Sequence, residues 1–79
     1  MTEDFFNTIK GIIAKIAGAD EETITQEADF SKDLNLDPVE KAEVFASVLA
    51  HYNVVIDQEE QANINRVSEL IDAITDNLP

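Results

Sequence analysis

The sequence predicts a small all-α fold: a four-helix bundle with a long loop between its first two helices and a short third helix. Three observations predict it. Apolar residues recur at helical spacing in three stretches; Gly18 and Asp37-Pro38 stand where helices stop and start; and Val54-Val55-Ile56, the one strand-like run, has no partner elsewhere in the chain. With 79 residues the chain reads as one domain, 1–79, because a second core would leave each with too little apolar surface to offset the entropy of ordering.

Phe5, Ile9, Ile12, Ile13 and Ile16 form an i, i+3, i+4, i+7 stripe, which predicts the first helix over 3–17, with Thr2 or Glu3-Asp4 at its favourable end. Gly18 follows the last apolar position, where a left-handed residue costs least in glycine. Residues 19–36 are polar with isolated apolar residues at Ile24, Phe30, Leu34 and Leu36, too sparse for one periodic element and too regular for disorder, so an anchored loop is expected. Asp37 can cap the second helix, Pro38 can take its first position without wasting an N–H, and Glu40 completes a capping box. Val44, Phe45, Val48, Leu49 and Tyr52 carry that helix over 38–52. An extended connector at 54–56, one helical turn at 57–62, and a last helix carrying Val67, Leu70, Ile71, Ile74 and Leu78, with Asn65 as its cap, complete the chain. The expected core is Ile9, Ile13, Phe30, Val48, Tyr52, Ile56, Ile64, Val67 and Ile71.

The composition excludes several functions. There is no cysteine and one histidine, His51, so disulfides, thiolate metal sites and zinc sites are not expected. Asp and Glu number 17 against 5 Lys and Arg, and the formal charge of -12 repels nucleic acid and anionic membrane surfaces. Basic proteins are the expected partners. The opening Met-Thr-Glu-Asp lacks the positive segment of a signal peptide, and the apolar runs are too short to enter a membrane, so a cytoplasmic monomer is expected. Asp20-Glu21-Glu22 lacks the alternating oxygens and central glycine of a calcium loop. His51 sits where a cation favours a helix C-terminus. The serines have no neighbouring base at an activating spacing, so catalytic residues are not expected and the chain is read as no enzyme.

The stretch "DLNLDPVEKAEVF", 33–45, resembles the central signature of acyl carrier proteins, D-L-G-x-D-S-L followed by V-E-L, and the layout of the whole chain follows that family without a gap. Phe30, Asp33-Leu34, Asp37, Glu43-Val44, Tyr52, Ile56, Glu59-Glu60, Ile64 and Val67 carry the resemblance jointly. It implies a four-helix bundle of acyl-carrier-protein type. In that family the serine after the aspartate receives 4'-phosphopantetheine. Here that position holds Pro38, which has no hydroxyl to attack coenzyme A, so no cofactor is expected. Asn35 stands at the loop glycine and can take a positive φ if one is required. The resemblance also implies that Asp37, Glu40 and Glu43 form the face that meets Lys and Arg patches of acyl-carrier-dependent enzymes or regulators. Leu49-Ala50 replaces a common Glu-Glu pair, so this end of the helix either faces a more apolar partner or, the favoured reading, packs Leu49 against a neighbouring loop. Leu70 stands where the family often has a smaller residue beside the acyl cavity.

The leading reading is therefore an unmodified protein-interaction module of fatty-acid, polyketide or related pathways. A second is a working carrier modified at another residue, or one whose attachment codon was altered, with 4'-phosphopantetheine as its group. A third is an acidic helical adaptor unrelated to acyl chemistry.

Overall fold

The helical stripes become four helices, α1 (Thr2–Ala17), α2 (Pro38–Tyr52), α3 (Gln58–Ala62) and α4 (Val67–Asn77), in a computed structural model that describes residues 2–78. The side chains of Thr2 and Glu3, offered by the sequence as the start of the first helix, lie outside the described residues, as do Met1 and Pro79. Among the described residues there is no strand, only an isolated antiparallel bridge between Asp29 and Arg66.

In α1, Ile9 and Ile13 are fully buried one turn apart, with Phe5, Ile12 and Ile16 half-buried beside them. The helix ends as expected at Gly18, whose φ of 68° lets the Ala19 N–H donate back to the Ala14 carbonyl at 3.2 Å. The 19–36 segment is anchored, and it also holds structure that periodicity does not signal: a 3-10 turn at Glu21–Thr23 and the bridge at Asp29. The physical reason is that both are made by backbone groups. Phe30 N–H donates to the Asn65 carbonyl at 2.9 Å, Val67 N–H to Ala28 at 3.1 Å, and Ser68 N–H to Gln26 at 2.9 Å. Ile24, Ala28, Phe30 and Leu36 pass from this loop into the core, and the Phe30 ring meets the edge of Phe45 with centroids 5.2 Å apart.

Val44, Phe45 and Val48 are the buried face of α2. Tyr52 departs from the expected core. As the last residue of α2 it is half-buried, its ring 5.0 Å from Phe5 and 4.8 Å from His51. The other expected core residues all lie in one buried cluster, which Leu70, Ala73 and Ile74 extend. Leu49 is half-buried and packs against that cluster. The 54–56 connector is neither helix nor strand, and alternation buries Val54 and Ile56 while Val55 stays 88% exposed.

The cap of α4 differs from expectation. Asn65 lies one residue too early and its carbonyl serves Phe30. The start is closed instead by Glu69, whose Oε1 accepts the Asn65 N–H at 2.7 Å and the Arg66 N–H at 3.0 Å.

Candidate functional site

The start of α2 is held from both sides. Leu36, buried, donates its N–H to the Phe30 carbonyl at 2.9 Å, and Asn35 before it takes a φ of 56°, the left-handed turn that the loop needs there. Asp37 then follows in extended backbone, φ -78° and ψ 170°, the usual geometry of a cap. Its Oδ1 accepts the Glu40 N–H at 2.8 Å, while Glu40 Oε1 accepts the Asp37 N–H at 3.2 Å. Pro38 occupies the first helical position, exposed, with its ring in place of an N–H that would have no helical partner.

The three carboxylates expected to meet a partner are thereby differentiated. At i, i+3 and i+6 they fall on one side of the helix. Asp37 and Glu43 are exposed and Glu40 is half-buried. Asp37 and Glu40 spend part of their acceptor capacity on each other's backbone, whereas Glu43 takes no part in the cap.

Beside this face lies a groove of about 290 Å³ between α2 and α3, which the sequence does not mark. Pro38, Ala42 and Phe45 form one wall, and Gln58, Gln61 and Ala62 the other. The α2 wall follows the i, i+4, i+7 rule from Pro38, and that spacing was the available signal. The α3 wall had none, because five residues are too few for a period. Gln61 is fixed by donation from its Nε2 to the Ile56 carbonyl at 2.7 Å. Lys41 also lines the groove and lies over the Phe45 ring, 5.5 Å from its centroid. Such a groove can accept an apolar group, but it brings no nucleophile and base together.

The remaining marked residues are placed apart from it. Ser31 lies in the turn where Asp29 Oδ1 accepts its N–H at 2.8 Å, and Ser47 stands nine residues beyond Pro38, roughly 13 Å along the helix axis. Leu70 is fully buried. Asp20, Glu21 and Glu22 are exposed around the 3-10 turn, and among the described residues no three His, Asp or Glu converge on a metal position. No helix among them is long and apolar enough to cross a membrane.

Two carboxyls are held below their usual range, both by backbone donors. At Asp29 the main cause is the Lys32 N–H, with Ser31 helping against partial desolvation; at Glu69 it is the Asn65 N–H, then that of Arg66. Both brace the loop and the start of α4, away from the groove.

The family described as "Phosphopantetheine attachment site" matches residues 7–74. Among individual proteins, the chain is 32% identical over 76 residues to the acyl carrier protein of Coprothermobacter proteolyticus, covering 96% of this chain and 93% of that one. It is 31% identical over 72 residues to the acyl carrier protein of Helicobacter pylori, covering 91% and 92% of the two chains. Against the acyl carrier protein of Petrotoga mobilis the figures are 29% over 79 residues, 99% and 93%. A helical bundle whose second helix opens on a capped Asp-x-x-Glu, matched over nearly its whole length, therefore belongs to the acyl carrier protein family.

Proposed function

We propose that this chain is an acyl-carrier-protein-like interaction module that carries no phosphopantetheine. It belongs to a family of carriers and not of enzymes. The observation that carries the proposal is Pro38 at the first position of α2. Attachment of the group needs a side-chain oxygen that attacks the pyrophosphate of coenzyme A at the helix start. A pyrrolidine ring offers none, so the residue present does not fit the group that the family implies. Ser31 and Ser47 are exposed hydroxyls, but neither stands at the start of the helix.

On this reading the whole chain acts as one monomeric, cytoplasmic domain. It meets basic surfaces of acyl-carrier-dependent enzymes or regulators, in fatty-acid synthesis or a related pathway, through Asp37, Glu40 and Glu43. Glu43 is the principal contact, because it is exposed and outside the cap. The short acidic face beside an apolar groove supports the reading.

The test is intact mass after incubation with coenzyme A and a broad-specificity phosphopantetheinyl transferase. The unaltered chain gains no mass. Pro38→Ser becomes modified, at a cost in stability of roughly 0.4–1 kcal/mol from the lost restriction of the unfolded chain. Modification of the unaltered chain would instead establish a working carrier that uses another hydroxyl. A folded Pro38→Ser that stays unmodified would favour an adaptor whose docking surface has also diverged.

A further inference from the structure

Glu43 is the last carboxylate of α2. Ser47 and His51 follow it at i+4 and i+8, so the three stand in one file along the helix, all exposed, with His51 about 12 Å beyond Glu43 along the axis. The file starts acidic and ends basic. For this chain the change is abrupt: of 17 Asp and Glu, none falls within residues 44–56 and none within residues 5–19, which make most of the neighbouring α1. Core packing accounts for the buried positions of both stretches. It does not account for Lys15, Ala46, Ser47, Ala50 and His51, which are exposed and could carry any polar group.

The basic end is backed by α1. Ile12, Lys15 and Ile16 face Ser47 and His51 across a groove of about 500 Å³, and among the described residues that line it there is no carboxylate. Lys15 and His51 each lie in a last turn, where a cation offsets the helix dipole. That role explains a basic residue at each helix end, but not why the two meet at one end of a file that begins at Glu43. Ile12 and Ile16 are half-buried, so each keeps apolar surface towards the groove.

We infer that the partner's docking segment is dipolar: basic side chains against Glu40 and Glu43, an aliphatic side chain over Ile12 and Ile16, and a carboxylate that accepts from Lys15 and His51. A uniformly basic segment laid along the same file would press its far end against Lys15 and His51 and be repelled there. Net charge brings a basic partner to this chain; the change of sign along α2 fixes which way round its segment lies. The dipolar face rests on the docking role proposed for Glu40 and Glu43, and extends it from the first turn of α2 to the last.

The probes are two amphipathic helical peptides of equal length. One has lysines in its first half, glutamates in its second and leucines along one side; the other has lysine in place of each glutamate. Binding is followed by backbone amide shifts of the isotopically labelled chain at about 150 mM salt, where a Debye length of about 8 Å screens distant charges. The mixed peptide should give saturable shifts at Glu40, Glu43, Ser47 and His51 together. Lys15→Gln with His51→Gln, both at exposed positions, should weaken the mixed peptide about fivefold and leave the all-lysine peptide bound at least as tightly as before. Lys15→Arg with His51→Lys, which keeps a cation at both positions, should bind the mixed peptide as the parent does. Glu43→Gln should weaken both peptides; if it weakens neither, the docking face itself fails and the dipolar face with it. If Glu43→Gln weakens both but the double glutamine variant affects them alike, or if the mixed peptide's shifts stop at Glu43, the docking face stands and the dipolar inference is overturned.

Discussion

Asn53 closes α2 in the left-handed region, φ 56° and ψ 45°, and its N–H is shared between the Ala50 and Leu49 carbonyls. Asparagine tolerates this geometry better than other side chains, while alanine meets the steric cost of its Cβ against the following carbonyl. Asn53→Ala should therefore lose about 1 kcal/mol in urea unfolding. Asn53→Gly should remain within about 0.5 kcal/mol of the parent, because relief of the residual strain is set against a more flexible unfolded chain. Equal losses in the two variants would locate the role of Asn53 in its side chain and not in its backbone. Asn35 shares the same φ before the other end of α2, in the turn that delivers Asp37 to the helix start. For that position the sequence offers only the residue type; the need for the turn emerges once Leu36 is seen buried beneath it.

At the scale of elements, the long helices were legible because each buries one face, and burial of one face leaves a period of 3.6 in the residues. The start of α2 is legible because Asp37, Pro38 and Glu40 are local signals that need no tertiary partner, and its end because the apolar pattern breaks at Asn53. The 3-10 turn and the Asp29–Arg66 bridge were not legible, since backbone groups carry them and any residue type supplies those. The cap of α4 lies between the two cases: Glu69 three residues into the start is a visible signal, but Asn65 is of the residue type that more often caps a helix. That cap and the Asp29 turn make a joint prediction. Both carboxyls are depressed in the folded chain, so their contribution is present above the unfolded carboxylate range of about 4 and is lost as the pH falls through the folded values. Asp29→Asn and Glu69→Gln should thus be less stable than the parent at pH 7, with the difference closing towards pH 3. Parent and variants must be compared at each pH, because protonating the other carboxylates relieves general repulsion and shifts all three together. A difference that persists unchanged at pH 3 would mean that the charge of these carboxylates is irrelevant.

The whole molecule sets charge against shape. A formal charge of -12 on a body with a radius of gyration of 11.2 Å produces a field that draws any basic partner, and only a local feature can orient that partner. Glu43 is the proposed local feature. Binding to an isolated partner enzyme should weaken with rising salt, and Glu43→Lys should weaken it further, by more than a similar reversal at Asp20, which lies outside the proposed docking face. Equal effects at the two positions would reduce the interaction to attraction by net charge. The candidate site was only partly visible in the sequence for the same reason of scale. Asp37, Glu40 and Glu43 could be read from one helix, whereas the groove beside them requires Gln58 and Gln61 to be brought across from another element.

The loop from 19 to 36 would ordinarily be the place where a protease enters, and Lys32 stands in it, exposed. A protease must draw several residues into an extended strand in its cleft. Here the Lys32 N–H is held by Asp29 Oδ1 at 2.9 Å, and the segments to either side are fastened by Phe30 and Leu36 in the core and by backbone bonds to Asn65, Val67 and Ser68. Peeling Lys32 outward also detaches the start of α4. Trypsin should consequently leave this bond intact in the native chain and cut it at a rate that climbs with urea as steeply as global unfolding does. Cleavage at Lys32 at a rate indifferent to urea would show a loop that opens alone. What looks like the most vulnerable length of the chain is, by its fastenings, a seam whose failure is the failure of the whole fold.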